Sequence, residues 1–101
     1  MGTFTLTDDA KEDLKEVKAY SLQHWNSAIT RVYLQGMRNT MQIVADNDMG
    51  IDISAETWPD ILCWPYERHS FFFVRVKGGI QVIGILHQSR LPKALLKRRP
   101  A

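Results

Sequence analysis

The stretch from residue 70 to 92, SFFFVRVKGGIQVIGILHQSRLP, does most to limit what this chain can fold into. It reads as two strands joined at Lys77-Gly78-Gly79. On the first, Phe71, Phe73 and Arg75 alternate with Phe72, Val74 and Val76. On the second, Ile80, Val82 and Leu86 are expected on one face, with Gln81, Ile83 and Ile85 on the other. Aromatic and β-branched runs broken by a Gly-Gly turn are a hairpin signal. Both faces are largely apolar, which fits a central hairpin covered on two sides better than a ribbon with one face in water. A charge placed in it, as in Phe72→Asp or Val82→Asp, is expected to unfold the domain.

The rest of the chain must supply the cover, and 101 residues suffice for one core and one domain. No run approaches the roughly 18 uninterrupted apolar residues of a membrane span, so no membrane partner is expected. The N-terminus lacks the basic-then-apolar pattern of an export signal, and the single cysteine, Cys63, cannot form an internal disulfide. Both features lead to the expectation of a cytoplasmic protein. The net charge of +2 conceals a polarity: residues 1–67 hold five Lys/Arg and all eleven Asp/Glu, whereas residues 68–101 hold eight Lys/Arg and no acid. Such a basic second half suits an acidic partner, protein or nucleic acid, or the chain's own acidic half.

Taken in order, Thr3-Phe4-Thr5-Leu6 reads as a short strand and Thr7 as a helix cap, with Asp8 and Asp9 in the first turn where the helix dipole favours negative charge. A helix from about Asp8 to Trp25 carries Ala10, Leu14, Val17, Ser21 and Trp25 on one stripe. Asn26-Ser27 recaps, and a second helix runs to about Ala45, so the two form an antiparallel hairpin. The second helix has two apolar stripes. Ile29, Val32, Tyr33, Gly36, Thr40 and Ile43 form one, and Leu34, Met37, Met41 and Val44 the other. One stripe meets the sheet, and the other meets the first helix or a partner. Methionine tolerates varied partners, which makes Leu34, Met37, Met41 and Val44 the candidate partner groove. Residues 51–60 read as a loop. Ile61 to Tyr66 alternates as a strand in which Pro65 argues for a sheet edge. A short basic segment follows Pro92. The expected fold is α+β, a two-layer β-α-α-β-β-β arrangement with a mainly antiparallel sheet of about four strands under a helical hairpin. Residues 1–92 make the domain and 93–101 a basic tail.

Catalytic and metal-binding motifs are scarce. Asp46, Asp48 and Asp52 lack the further ligands of a calcium loop, Gly78-Gly79 is a turn and not a phosphate cradle, and no cofactor is expected. Arg68, Arg75, His87 and Arg90 are the one set suited to phosphodiester cleavage, a proton carrier among guanidinium groups.

Three segments, in this order, resemble a known family. They are LTDDAKEDLKEVKAYSLQHW, RVYLQGMRNTMQIVADN and ERHSFFFVRVKGGIQVIGILHQSRLP. The first is similar to a strand ending in Leu-(Ser/Thr) with an acidic helix start and a late Trp. The second resembles a helix ending in Ala-(Glu/Asp)-Asn, and the third a strand pair ending in Ile-Leu-His-x-x-(Arg/Met)-x-Pro. Together they resemble the ParE-type toxins of the RelE/ParE superfamily, from type II toxin–antitoxin pairs. Where that family has a glycine before Arg68 this chain has Glu67, and Phe73 replaces a strand tyrosine. The ribosome-dependent ribonucleases of the superfamily carry a tyrosine after the last strand. Here Gln88 follows His87, and no tyrosine occurs from Arg90 onward.

The resemblance implies a RelE/ParE-like fold and a toxin that inhibits DNA gyrase, blocks replication and is silenced by a ParD-like antitoxin. It implies no catalysis and no small-molecule substrate. Arg90, Lys93, Lys97, Arg98 and Arg99 are the candidate target-binding residues. The antitoxin is expected as an acidic segment that folds on binding, using the Leu34, Met37, Met41, Val44 stripe and an exposed strand edge. Two alternatives stand beside this: a ribosome-dependent mRNA endonuclease built on Arg68, Arg75, His87 and Arg90, and a non-catalytic module whose basic half binds nucleic acid.

Overall fold

The computed structural model describes residues 2–54, 57–90, 92–95 and 98. Strand β1 (Thr3–Leu6) leads into helix α1 (Asp8–His24), then α2 (Ser27–Asp46), a two-residue strand β2 (Ile51–Asp52), β3 (Leu62–Tyr66), β4 (His69–Val76) and β5 (Gly79–His87). A 3-10 turn (Pro92–Leu95) follows. The sheet order is β1-β5-β4-β3-β2; β1 lies parallel to β5 and every other pairing is antiparallel. The α+β arrangement expected from the sequence is present, with a fifth strand where a loop was expected.

Both helices start where their caps dictate. The Thr7 hydroxyl accepts from the Ala10 N–H at 3.2 Å, with Asp8 and Asp9 in the first turn, and the Asn26 side chain accepts from the Ile29 N–H at 2.8 Å. The Thr30 hydroxyl reaches the Ser21 hydroxyl at 3.0 Å and pins the two helices together near their connection. At the other end of α2 the last turn holds no basic side chain. Arg75 on β4 supplies the charge, donating to the carbonyls of Val44 (3.0 Å), Asn47 (2.6 Å) and Met49 (2.5 Å).

The hairpin β4–β5 is central, as its two apolar faces require. On the helix side Phe71, Phe73, Ile80, Val82 and Ile85 join Ala10, Val17, Met37, Met41 and Val44 in the main core. On the opposite side Phe72, Ile83 and Leu86 pack with Ile61 and Leu95, and Trp58 and Ile53 lie against them. The face assignment expected for β5 is corrected here. A register shift between Phe72 and Phe73 pairs them with Gly84 and Val82, so Ile83 is the extra residue of a bulge. Beyond it the alternation changes parity, which sends Ile85 to the helix side and Leu86 to the outer side.

The strand of Pro65, expected at a sheet edge, lies one strand in, because β2 covers part of its outer side. Strand β2 pairs only with Leu62 and Cys63, so the ladder on that side stops before Pro65. The boundary expected after residue 92 is crossed by two contacts: Leu95 is fully buried in the outer cluster, and Arg98 forms an ion pair with Asp13 of α1. No helix among the described residues is long and apolar enough to cross a membrane.

Candidate functional site

The two apolar stripes of α2 have opposite fates from those expected. Met37, Met41 and Val44 are 0% exposed and Leu34 packs against the same core, so this stripe meets the sheet and forms no partner groove. It consists of large apolar side chains alone, whereas the other stripe is diluted by Gly36 and Thr40. The undiluted stripe offers more area to bury and takes the core. The outward residues are Ile29, Val32 and Ile43, exposed by 48%, 72% and 52%.

At the start of α2 this outward stripe becomes one wall of a groove of about 520 Å³, lined by Trp25, Ala28, Ile29, Val32, Tyr33, Tyr66, Glu67 and Arg68. Trp25 ends α1, its backbone N–H bonded to the Ser21 carbonyl, and the Arg68 guanidinium lies over its ring at 5.3 Å. The far wall is the β3–β4 turn. Tyr66 packs edge-on against Tyr33 at 5.1 Å, and the room for it comes from Gly36, where any Cβ would overlap the Tyr66 hydroxyl. The groove is apolar at its floor and charged only at Glu67 and Arg68. Burial raises the pKa of both tyrosines above the ordinary phenol range, so they line it as neutral groups.

Beneath the turn lies a short relay. The Tyr33 hydroxyl is 2.7 Å from the His69 Nδ1. His69 is buried and faces His87, with ring centres 5.3 Å apart; burial first, and the neighbouring His87 second, lower its pKa. A smaller cavity of about 230 Å³ on this side is lined by Asp13, Glu16, Tyr20, His69, His87 and Arg90, among others.

The four residues proposed for phosphodiester cleavage do not come together. Arg75 caps α2, at the far end of a strand from His69 and His87, about 20 Å away at the usual rise per residue. Arg68 lines the groove with Trp25, while His87 and Arg90 line the smaller cavity. The His87 Nδ1 accepts from the Ser89 N–H at 3.2 Å and lies 2.8 Å from the Ser89 hydroxyl. Sequence reasoning passed over His69, Tyr33 and Tyr66. The register of a hairpin places Tyr66 opposite His69, and His69 opposite His87, and that pairing was the available signal.

Of the candidate target-binding residues, Arg90 is exposed and Lys93 belongs to the 3-10 turn, whereas Lys97 and Arg99 lie outside the described residues. Arg98 is no free cation. Its guanidinium grips the Asp13 carboxylate at 2.5 and 3.0 Å and donates to the Ile83 carbonyl at 3.2 Å. Among the described residues no cluster of His, Cys, Asp or Glu is suited to hold a metal ion.

No family model and no curated protein matches this chain. Among solved structures, one of the chromosomal ParDE TA system from P. aeruginosa shares its fold, with a TM-score of 0.71 over 86% of this chain and 96% of that one at 16% sequence identity. At that identity the likeness is one of fold alone. The chain has the RelE/ParE-like fold.

Proposed function

We propose that this chain is the toxin of a type II toxin–antitoxin pair, a ParE-type protein that inhibits DNA gyrase, blocks replication, and is neutralised by a ParD-like antitoxin. The carrying observation is the shared fold, which spans nearly the full length of a chain from a ParDE system. The action is docking rather than bond cleavage. Supporting this, Arg75 is consumed as a helix cap and Arg68 and His87 open onto different cavities. The antitoxin's seat is the groove of Trp25, Ile29, Val32, Tyr33 and Tyr66, whose apolar floor suits the apolar face of a segment that folds on binding. Arg90, Lys93, Lys97 and Arg99 engage the target.

A second reading, ribosome-dependent mRNA cleavage, draws on the cavity that His69, His87 and Arg90 share. Inducing the gene and following DNA cleavage complexes alongside transcript integrity separates the two. Gyrase-linked breaks with intact messages support the first reading, and codon-specific scission abolished by His87→Ala replaces it with the second.

A further inference from the structure

Asp13 is an acid on the buried stripe of a helix. It stands three residues after Ala10 and four before Val17, so it faces inward with them and is 7% exposed. A buried carboxylate needs partners, and this one has two that no local rule supplies. Its Oδ2 accepts from the backbone N–H of Ile85 at 2.9 Å, and both its oxygens hold the Arg98 guanidinium. The end of β1 makes this possible, because its pairing with β5 stops at Val82 and leaves that side of β5 open beyond it. There the carbonyl of the bulged Ile83 accepts from Arg98, and the Ile85 N–H, facing away from β4, reaches Asp13.

Gly84, between them, completes the seat. A Cβ there would lie 2.6 Å from Leu95 Cδ2 and 2.8 Å from the Arg98 guanidinium, so the missing side chain is the space into which Leu95 and Arg98 fit. Leu95 is 0% exposed in the outer cluster, and the Arg98 N–H returns to the Leu95 carbonyl at 2.8 Å. An apolar plug, a two-pronged ion pair and a glycine cradle therefore converge on one short piece of chain.

We propose that Asp13 is a positioning residue: it holds Arg98, and with it the Leu95 plug, against β5, and target engagement requires these two residues to be seated and the basic end to be not merely charged. The idea rests on the reading of the chain as a docking toxin. It also separates two accounts of the basic end, because Asp13→Asn removes a negative charge and leaves every basic side chain in place. Its amide oxygen still accepts from Ile85, so β5 keeps its partner. If charge alone engages the target, that variant acts as well as or better than wild type.

The test compares Asp13→Asn and Leu95→Ala with wild type. Amide hydrogen exchange, which needs no target, is expected to quicken about tenfold or more at Arg98 in both variants, and by a larger factor there than at Ile80 and Val82. Inhibition of gyrase supercoiling is expected to fall about tenfold or more in both, with antitoxin affinity unchanged. Unaltered exchange at Arg98 would overturn the clamp, and full inhibition despite fast exchange would overturn its role in engagement. Should the wild-type protein leave gyrase untouched, the gyrase reading fails while the exchange comparison still decides the clamp.

Discussion

Arg75 shows how one side chain can be claimed by structure before chemistry. Its three bonds to the carbonyls at the end of α2 satisfy acceptors that the helix leaves open, and they bring a cation to the negative end of the dipole. Arg75→Met should cost about 2–3 kcal/mol in urea unfolding, the scale of lost hydrogen bonds to a charged group. Glu67 is a second local case, at φ 51 in the β3–β4 turn, where a side chain is strained and the resembling family has glycine. Glu67→Gly should stabilise the fold by about 1 kcal/mol in the same measurement, as the relieved strain exceeds the added chain entropy. His69 predicts a pH dependence. Burial and His87 hold its pKa below the usual imidazole range, so the unfolded chain binds this proton more tightly than the folded one. Its contribution is intact above the ordinary value of about 6.5 and is lost as pH falls through 6.5 toward the lower folded pKa. Unfolding midpoints should therefore decline between about pH 7 and pH 5, and His69→Gln should flatten that part of the slope.

The elements differ in how plainly the sequence announced them. Helices α1 and α2 and the hairpin β4–β5 were legible because caps, periodicity and turn residues all agree on them. Strand β2 was not, since two residues in a turn-rich segment have no alternation to read. Nor was the bulge. Ile83, Ile85 and Leu86 are all apolar, so a change of parity leaves the pattern unaltered, and Gly84 inside a strand was the one mark of it. For α2 both stripes were legible but their assignment was reversed, because Met37 and Met41 were weighed for adaptability and not for the area they bury. The reversal is testable with two substitutions. Val32→Glu, at a site 72% exposed, should leave stability within about 0.5 kcal/mol and weaken antitoxin binding at least about tenfold. Met37→Lys, at a site with no exposure, should unfold the protein in thermal melts instead.

For the whole molecule, the polarity of charge between the chain's halves is partly internal. Asp13 from the acidic half and Arg98 from the basic half form one ion pair, and a sequence scan counts Arg98 as a free tail charge because its partner is 85 positions away. Of the other basic residues of that half, Arg68 lines the apolar groove and Arg75 caps α2, whereas Arg90, Lys93, Lys97 and Arg99 follow the sheet in sequence. The proposed function divides the labour between the two, with the groove assigned to the antitoxin and the basic end to the target. The central claim is that this molecule acts by docking on gyrase without cleaving a bond. The most direct measurement is supercoiling of relaxed DNA by purified gyrase, titrated with the purified chain and then with its antitoxin. The account predicts loss of supercoiling that the antitoxin restores; normal supercoiling in a large excess of the protein would contradict it.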